Sequence, residues 1–145
     1  MDHTYDLERF VTAQDDGGTY RQALAELRDG SKRSHWMWFV FPQLAGLGQS
    51  PTAQKYAVAT LAEAKAYLQH PVLGPRLIEC ARTVAGIQGR TAREIFGSID
   101  ERKLHSSMTL FLRADPHEPA FRKVLAQYFE DLPDAVTDQL LGLRA

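Results

Sequence analysis

The chain has 145 residues, of which 44% are hydrophobic and 24% charged, and this is the size and composition of one folded globular domain rather than of a disordered chain. Its 17 basic and 18 acidic side chains give a net charge of -1, which argues against general nucleic-acid binding. The single cysteine, Cys80, cannot form a disulfide within the chain, and no segment has the apolar length of a signal peptide or a membrane span, so we predict a cytoplasmic protein without a membrane partner.

Two short helices are predicted at the start of the chain by apolar residues at helical spacing. The first lies in "YDLERFVTAQ" and the second in "TYRQALAELRDG", with Thr19 as its candidate cap. The Asp-Asp-Gly-Gly sequence at 15–18 predicts a tight turn between them, and Gly30 ends the second helix.

The segment "SHWMWFVFPQ", residues 34–43, contains six consecutive apolar residues. Such a run does not distinguish a buried strand from a buried helix. A lone strand would have no partner for its backbone groups, and no other segment of the chain has comparable strand character. We therefore predict a short buried helix that ends at Pro42.

Helical patterns continue through the rest of the chain. We predict one long helix over 50–71, with Ser50 as its N-cap and Pro51 in its first turn. Thr91 and Glu94 form a capping-box pattern that begins another helix. Further helical patterns occupy "HPVLGPRLIECARTVAGIQG", "IDERKLHSSMTLFLRAD", "EPAFRKVLAQYFEDL" and "PDAVTDQLLGL".

With no internal repeat and no linker, these elements predict an all-α fold. We expect a compact, irregular, multi-helical single domain of six to eight short helices that spans residues 1–145.

The aromatic segment is a candidate wall of a ligand pocket. Trp36 and Trp38 are two residues apart and cannot share one face of a helix, so one of them has to meet another helix or a cavity. An aromatic ring beside Lys32, Arg33 and His35 would suit a planar heterocycle that carries a phosphate. The alternative is ordinary core packing, which explains the rings but not the "KRSH" run before them.

Two further positions could carry chemistry. Glu8 lies near the apolar face of the first helix, where desolvation would make it a general acid or base; a surface glutamate is the alternative. Ser107, in "KLHSSMTLF", could line a polar notch inside a pocket, or its small hydroxyl could serve close helix packing.

The sequence contains none of the strong catalytic or cofactor motifs, such as a phosphate-binding loop or a zinc-protease helix. None of its five histidines has the spacing of a metal site, so we predict neither a metal nor a cofactor. The loop "GLGQS" precedes a helix and could hold a phosphate through backbone N–H groups, with a plain loop as the alternative.

Five blocks of the chain carry a family resemblance: "LERFVTAQ", "SHWMWFVFPQLAGLGQS", "YAV" at 56–58, "EAKAYLQHPVLGPRL" and "KLHSSMTLF". They resemble an uncharacterised bacterial family, the domain-of-unknown-function family 1810. The resemblance implies one mainly helical domain and brings no assigned reaction with it. Members are sometimes labelled calpastatin, which implies a disordered protease inhibitor, and this chain is too apolar and too well capped for that.

A second resemblance is to the opening motif of the NADAR superfamily, which is helical and linked to NAD, ADP-ribose and N-glycosidic chemistry. The match covers "LERFVTAQ" and the later "MTLFLRADPHEPAFRKVL". The superfamily's acidic residue would fall on Glu8, its aromatic residue on Phe10 and its Ala-Gln pair on Ala13 and Gln14. The superfamily usually has a lysine after this pair, where this chain has Asp15, and this departure puts hydrolysis in doubt.

These resemblances lead to a hypothesis in which the protein is a NADAR-like hydrolase or binder of a nucleotide or of ADP-ribose. Glu8 would stabilise an oxocarbenium-like centre, while Trp36 or Trp38 would stack on a base. The remaining candidate ligand-binding residues would meet phosphate or orient hydroxyl groups: Lys32, Arg33, His35, Gln14, Gln43 and Ser107. The alternatives are a ligand-binding module without catalysis and a protein-interaction module with an exposed apolar patch.

Overall fold

The computed structural model describes residues 5–142, which form ten α-helices and one short 3₁₀ turn. No strand occurs in this part of the chain, although one isolated β-bridge does. The predicted all-α fold is therefore confirmed. The helices are α1 (Glu8–Asp15), α2 (Thr19–Arg28), α3 (Met37–Val40), α4 (Pro51–Lys55), α5 (Leu61–Gln69), α6 (Leu73–Ala85), α7 (Ala92–Phe96), α8 (Ser98–Ala114), α9 (Pro119–Tyr128) and α10 (Ala135–Leu140).

The helices differ widely in length, from the 4 residues of α3 to the 17 residues of α8. Helices α3, α4 and α7 have five residues or fewer, and the other seven within residues 5–142 have six or more. The ten helices of residues 5–142 exceed the six to eight that the sequence predicts, in part because the stretch over 50–71 forms both α4 and α5. In the described part of the chain, none of the helices has the length and apolar character needed to cross a membrane.

The prediction of one continuous helix over 50–71 is wrong. The chain leaves the helical conformation between α4 and α5, where the backbone of Val58 pairs with the loop after the aromatic segment. The N–H of Val58 donates to the carbonyl of Gln43 at 2.8 Å, and its carbonyl accepts from the N–H of Ala45 at 2.7 Å. Because these backbone groups bond to a distant loop, they cannot continue the helical ladder. Thr60 then caps α5 by accepting from the N–H of Glu63.

The predicted caps have mixed outcomes. Ser50 caps α4, and Thr91 with Glu94 forms the predicted capping box at the start of α7. Thr19 does not cap α2, because its hydroxyl donates to the carbonyl of Asp16 and accepts nothing from the helix.

The aromatic segment forms the predicted short helix, α3, which ends before Pro42. Trp36, Met37, Val40 and Phe41 are buried in the core, whereas Trp38 is only half-buried. Most of the segment is therefore core, and Trp38 and Phe39 are its partly exposed rings.

Helix α8 is the centre of the fold and packs against α5, α9, α7 and α10. A cluster of rings fills the space beside it, with Tyr67 lying 5.1 Å from Phe10 and 5.3 Å from Phe111, centroid to centroid. Burying each such ring contributes about 2–3 kcal/mol to folding. Cys80 is fully buried in the same core, as an ordinary small apolar side chain would be.

Candidate functional site

Trp36 is held in place by a buried carboxylate on α2. Its Nε1–H donates to Oε1 of Glu26 at 3.0 Å, and the same carboxylate accepts from the backbone N–H of Arg33 and from the hydroxyl of Ser34. Burial by itself would raise the pKa of Glu26, but the hydrogen bonds from Ser34, Arg33 and Trp36 outweigh it and lower the pKa to about 2. Trp36 therefore packs in the core and anchors the segment to α2.

The two cations of the predicted basic cluster form ion pairs with neighbouring acidic residues. Lys32 pairs with Asp100 at 2.9 Å, and Arg33 pairs with Asp29 at 2.7 Å. The exposed His35 lies beside them on the surface. These contacts give the "KRSH" run a structural role that the sequence interpretation lacked.

Gln14 is a buried cross-link between helices. Its Nε2 donates to the carbonyl of Phe39 at 2.8 Å and to the hydroxyl of Tyr67 at 3.2 Å, and its Oε1 accepts from Arg76 at 3.2 Å. This side chain is fully engaged within the protein.

Glu8 lies on the surface, because its side chain is 73% exposed. The desolvation expected from the sequence is therefore absent. Its Oε1 lies 3.3 Å from Nε2 of His70, whose Nδ1 accepts from the backbone N–H of Val72 and so leaves the proton on Nε2. Glu8 lines a shallow cleft of about 370 Å³, which Tyr56 also lines.

A partly enclosed cavity lies beside Trp38, and we call it the neutral compartment. It has a volume of about 130 Å³ and is bounded by the loop over 44–48, by α4 and by Tyr56. Among the described residues, no charged side chain lines it. The lining residues are Trp38, Gln43, Leu44, Ala45, Gly46, Leu47, Gly48, Ala53, Gln54, Tyr56 and Ala57.

A second, larger cavity adjoins the first, and we call it the basic compartment. It has a volume of about 330 Å³. Trp38, Gln43 and Leu47 line both compartments, which together form one cleft. The other residues lining the basic compartment are Ile99, Arg102, Lys103, His105, Ser106, Asp134 and Val136.

Gln43 is the unusual polar residue of this cleft. Its side chain is buried, with the residue only 7% exposed, and its Nε2 has no hydrogen-bond partner among the described residues. Leaving a buried donor unsatisfied costs about 1–3 kcal/mol. The backbone of Gln43 is fixed by the hydrogen bond from the N–H of Val58 to its carbonyl, and the residue lines both compartments.

Trp38 is fixed on two sides. The Nζ of Lys103 lies 4.1 Å from the centroid of its ring, and Lys103 is in turn held by Asp100 at 3.0 Å. At the edge of the ring lies Gly48, where an added Cβ would come within 3.2 Å of the Trp38 ring and 2.6 Å of the Cβ of Ala53. The ring is thus pre-positioned between the two compartments.

Asp100 links this site to the aromatic segment, since it binds both Lys103 and Lys32. Burial acts to raise the pKa of Asp100, and the hydrogen bonds from Lys32 and Lys103 outweigh it, so the pKa lies below its ordinary value.

Of the sequence-predicted ligand-binding residues, the structure brings Trp38 and Gln43 together in this cleft. Ser107 is fully buried and its Oγ has no partner among residues 5–142, but it lines neither compartment. Sequence reasoning missed Arg102 and Lys103, together with the buried Glu26. The spacing of Asp100 and Lys103 indicates an ion pair on a helix, but only the tertiary fold places that pair beside Trp38.

These features define an all-helical protein with a two-compartment cleft beside a half-buried tryptophan. Over residues 4–141 the sequence matches a family described as "Protein of unknown function (DUF1810)", and the chain belongs to this family. The resemblance inferred from the sequence blocks is therefore confirmed.

A solved structure of high similarity is that of the conserved hypothetical protein Rv1873 from Mycobacterium tuberculosis. The two chains are 53% identical, with a TM-score of 0.92 over 97% of this chain and 99% of that one. No curated protein matches this sequence at a significant level. The relation to the NADAR superfamily stays a prediction.

Proposed function

We propose that this protein is a ligand-binding module that takes a small anionic molecule with a flat ring, of the nucleotide or ADP-ribose type, in the cleft beside Trp38. The observation that carries the proposal is Gln43, a residue that lines both compartments and whose buried Nε2 has no hydrogen-bond partner among the described residues. A bound ligand that accepts from this donor would remove its desolvation penalty.

The shape and charge of the cleft support this class of ligand. The neutral compartment, at about 130 Å³, suits a single ring system beside the aromatic side chains of Trp38 and Tyr56. The basic compartment, at about 330 Å³, is lined by Arg102, Lys103 and His105 and suits the sugar and phosphate. Asp134 also lines it, but its Oδ2 accepts from the N–H and hydroxyl of Thr137.

Binding without turnover fits the positions of the candidate residues better than N-glycosidic hydrolysis does. The hydrolytic hypothesis needs Glu8 at the reacting centre, whereas Glu8 is exposed and lines a different cleft. That cleft shares only Tyr56 with the neutral compartment. Should the wild type release free base from NAD or a nucleotide and Glu8→Gln abolish this release, the hydrolytic alternative would replace the binding proposal.

A second candidate function, a protein-interaction module, is favoured by two exposed apolar side chains at the rim of the basic compartment. Ile99 is 71% exposed and Val136 is 50% exposed. Replacing both with serine would abolish partner binding by this surface but would leave nucleotide affinity within about twofold, since neither side chain can contribute a hydrogen bond to phosphate.

Isothermal titration calorimetry with ADP-ribose, AMP and ribose 5-phosphate tests the binding proposal. We expect ADP-ribose and AMP to bind to the wild type. Trp38→Ala removes the stacking surface and Lys103→Ala removes a cation, and each should weaken the affinity for AMP about tenfold or more. Lys65→Ala, an exposed lysine on α5 outside both compartments, is the matched control and should bind as the wild type does. Absence of binding by the wild type at millimolar ligand would overturn the proposal.

A further inference from the structure

The cations that line the basic compartment differ in how far they are already paired. Lys103 binds Asp100 at 3.0 Å, and Asp100 also binds Lys32 at 2.9 Å. The exposed Arg102 lines the same compartment, and its guanidinium forms no ion pair or hydrogen bond with any of residues 5–142. A bound anion can therefore pair with Arg102 without breaking an ion pair of the described chain.

A carboxylate lines the same compartment. Asp134 is the N-cap of α10, and its Oδ2 accepts from the N–H of Thr137 at 3.0 Å and from the hydroxyls of Thr137 and Ser106. All of these donors are uncharged, and within residues 5–142 Asp134 forms no ion pair with Arg102 or with another cation. Its negative charge therefore repels an anionic group that enters the compartment.

The charges of the basic compartment and of its ion-pair partners nearly cancel. The carboxylates are Asp100 and Asp134, and the cations are Arg102, Lys103 and the Lys32 that shares Asp100. Apart from His105, three cations and two carboxylates leave an excess of one positive charge. A single phosphate group matches this excess. A further phosphate adds negative charge that has no free cation among these groups, and such like-charge contacts disfavour a ligand.

From this charge balance, and resting on the proposed function, we infer that the cleft selects nucleotides with a single phosphate over those with a chain of phosphates. Arg102 pairs with the single phosphate in the basic compartment. Asp134 determines the specificity, because its charge opposes each further phosphate.

Calorimetry with AMP, ADP and ATP, in the absence of divalent cations, tests the inference on the wild-type protein. The three ligands share the adenine ring and the ribose and differ only in the number of phosphates. We expect AMP to bind about tenfold tighter than ADP, and ATP to bind more weakly still. Affinities of ADP or ATP within about threefold of that of AMP, or higher, would overturn the inference and leave the proposed function standing. Absence of binding by all three would overturn the proposed function itself.

A substitution of Asp134 then tests whether charge causes the selection. Asparagine is as good an N-cap as aspartate, so Asp134→Asn removes the charge and keeps the cap of α10. We expect the ratio of the AMP affinity to the ADP affinity to fall about fivefold or more, and a loss of stability alone would not change this ratio. Asp29→Asn makes the same change at an exposed residue outside both compartments and should keep the wild-type ratio. An unchanged ratio in Asp134→Asn would show that the charge of Asp134 does not set the selection, and the inference would be wrong.

Discussion

At the scale of single residues, the stability of the aromatic segment depends on Glu26. The carboxylate accepts hydrogen bonds from the indole N–H of Trp36 and from the backbone N–H groups of Arg33 and Ser34. It therefore fixes both the Trp36 side chain and the backbone before it. We expect Glu26→Gln to lower the free energy of unfolding by about 2–3 kcal/mol at pH 7, because hydrogen bonds to a charged acceptor are lost. Glu8→Gln, at an exposed carboxylate, is the matched control and should change the free energy of unfolding little.

The effect of Glu26 depends on pH in a defined direction. Its pKa in the folded protein is about 2, below the ordinary 4.5, so the ionised form is favoured by folding. This contribution is complete above the ordinary pKa and is lost as the pH falls towards about 2. Urea denaturation at pH 7 and pH 3 should therefore show a smaller difference between wild type and Glu26→Gln at pH 3; an unchanged difference would contradict this assignment.

Gly48 is the residue that keeps Trp38 and α4 in close contact. A Cβ at this position would approach the Cβ of Ala53 to 2.6 Å, which forces the loop away from the helix. We expect Gly48→Ala to destabilise the protein by about 1–3 kcal/mol, as overpacking does, and to weaken nucleotide binding. Gly86→Ala, where the nearest atoms lie 3.5 Å away, is the control for thermal denaturation and should be tolerated.

At the scale of elements, helical periodicity predicted where most helices lie but not where one of them breaks. The stretch over 50–71 is alanine-rich and periodic, and local propensity favours one helix. The break arises because Val58 bonds to the loop that carries Gln43, and such a non-local bond leaves no mark on helical spacing. Tyr56 and Ala57, which lie in this break, line the neutral compartment. A sequence analysis that misses the break therefore also misses this part of the site.

After the break, Thr60 caps the helix that follows. Thr60 accepts from the N–H of Glu63 at 3.1 Å at the start of α5. We expect Thr60→Ala to lower the free energy of unfolding by about 1 kcal/mol, the usual cost of losing an N-cap. Thr52→Ala, on the exposed side of α4, should cost little in the same urea titration. Equal effects of the two substitutions would show that α5 begins elsewhere.

At the scale of the whole molecule, the sequence predicted the helical class and a core made of apolar faces, because these follow from local pattern. It also selected Trp38 and Gln43 by residue type, whereas the predicted Lys32 and Arg33 pair with acids and line neither compartment of the cleft. The cations that line the cleft, Arg102 and Lys103, lie far along the chain on α8. Only the packing of α8 against α3 brings them to Trp38.

The two tryptophans should differ in their access to solvent. Trp36 is 1% exposed, whereas Trp38 is half-buried at the cleft. We expect iodide to quench only the Trp38 part of the fluorescence, so that Trp38→Phe removes most of the quenchable emission. The Trp36→Phe variant should keep most of the quenchable emission. Equal quenching of both indoles would contradict the burial of Trp36 in the core.

The most direct test of the account is an NMR titration of the ¹⁵N-labelled protein with AMP and with inosine 5′-monophosphate. We predict that the indole N–H of Trp38 and the side-chain amide of Gln43 shift on addition of ligand. The indole of Trp36, which is bound to Glu26, should stay in place as an internal control. Shifts confined to the surface around Glu8, or no shifts at millimolar ligand, would contradict the claim that the cleft beside Trp38 is the binding site.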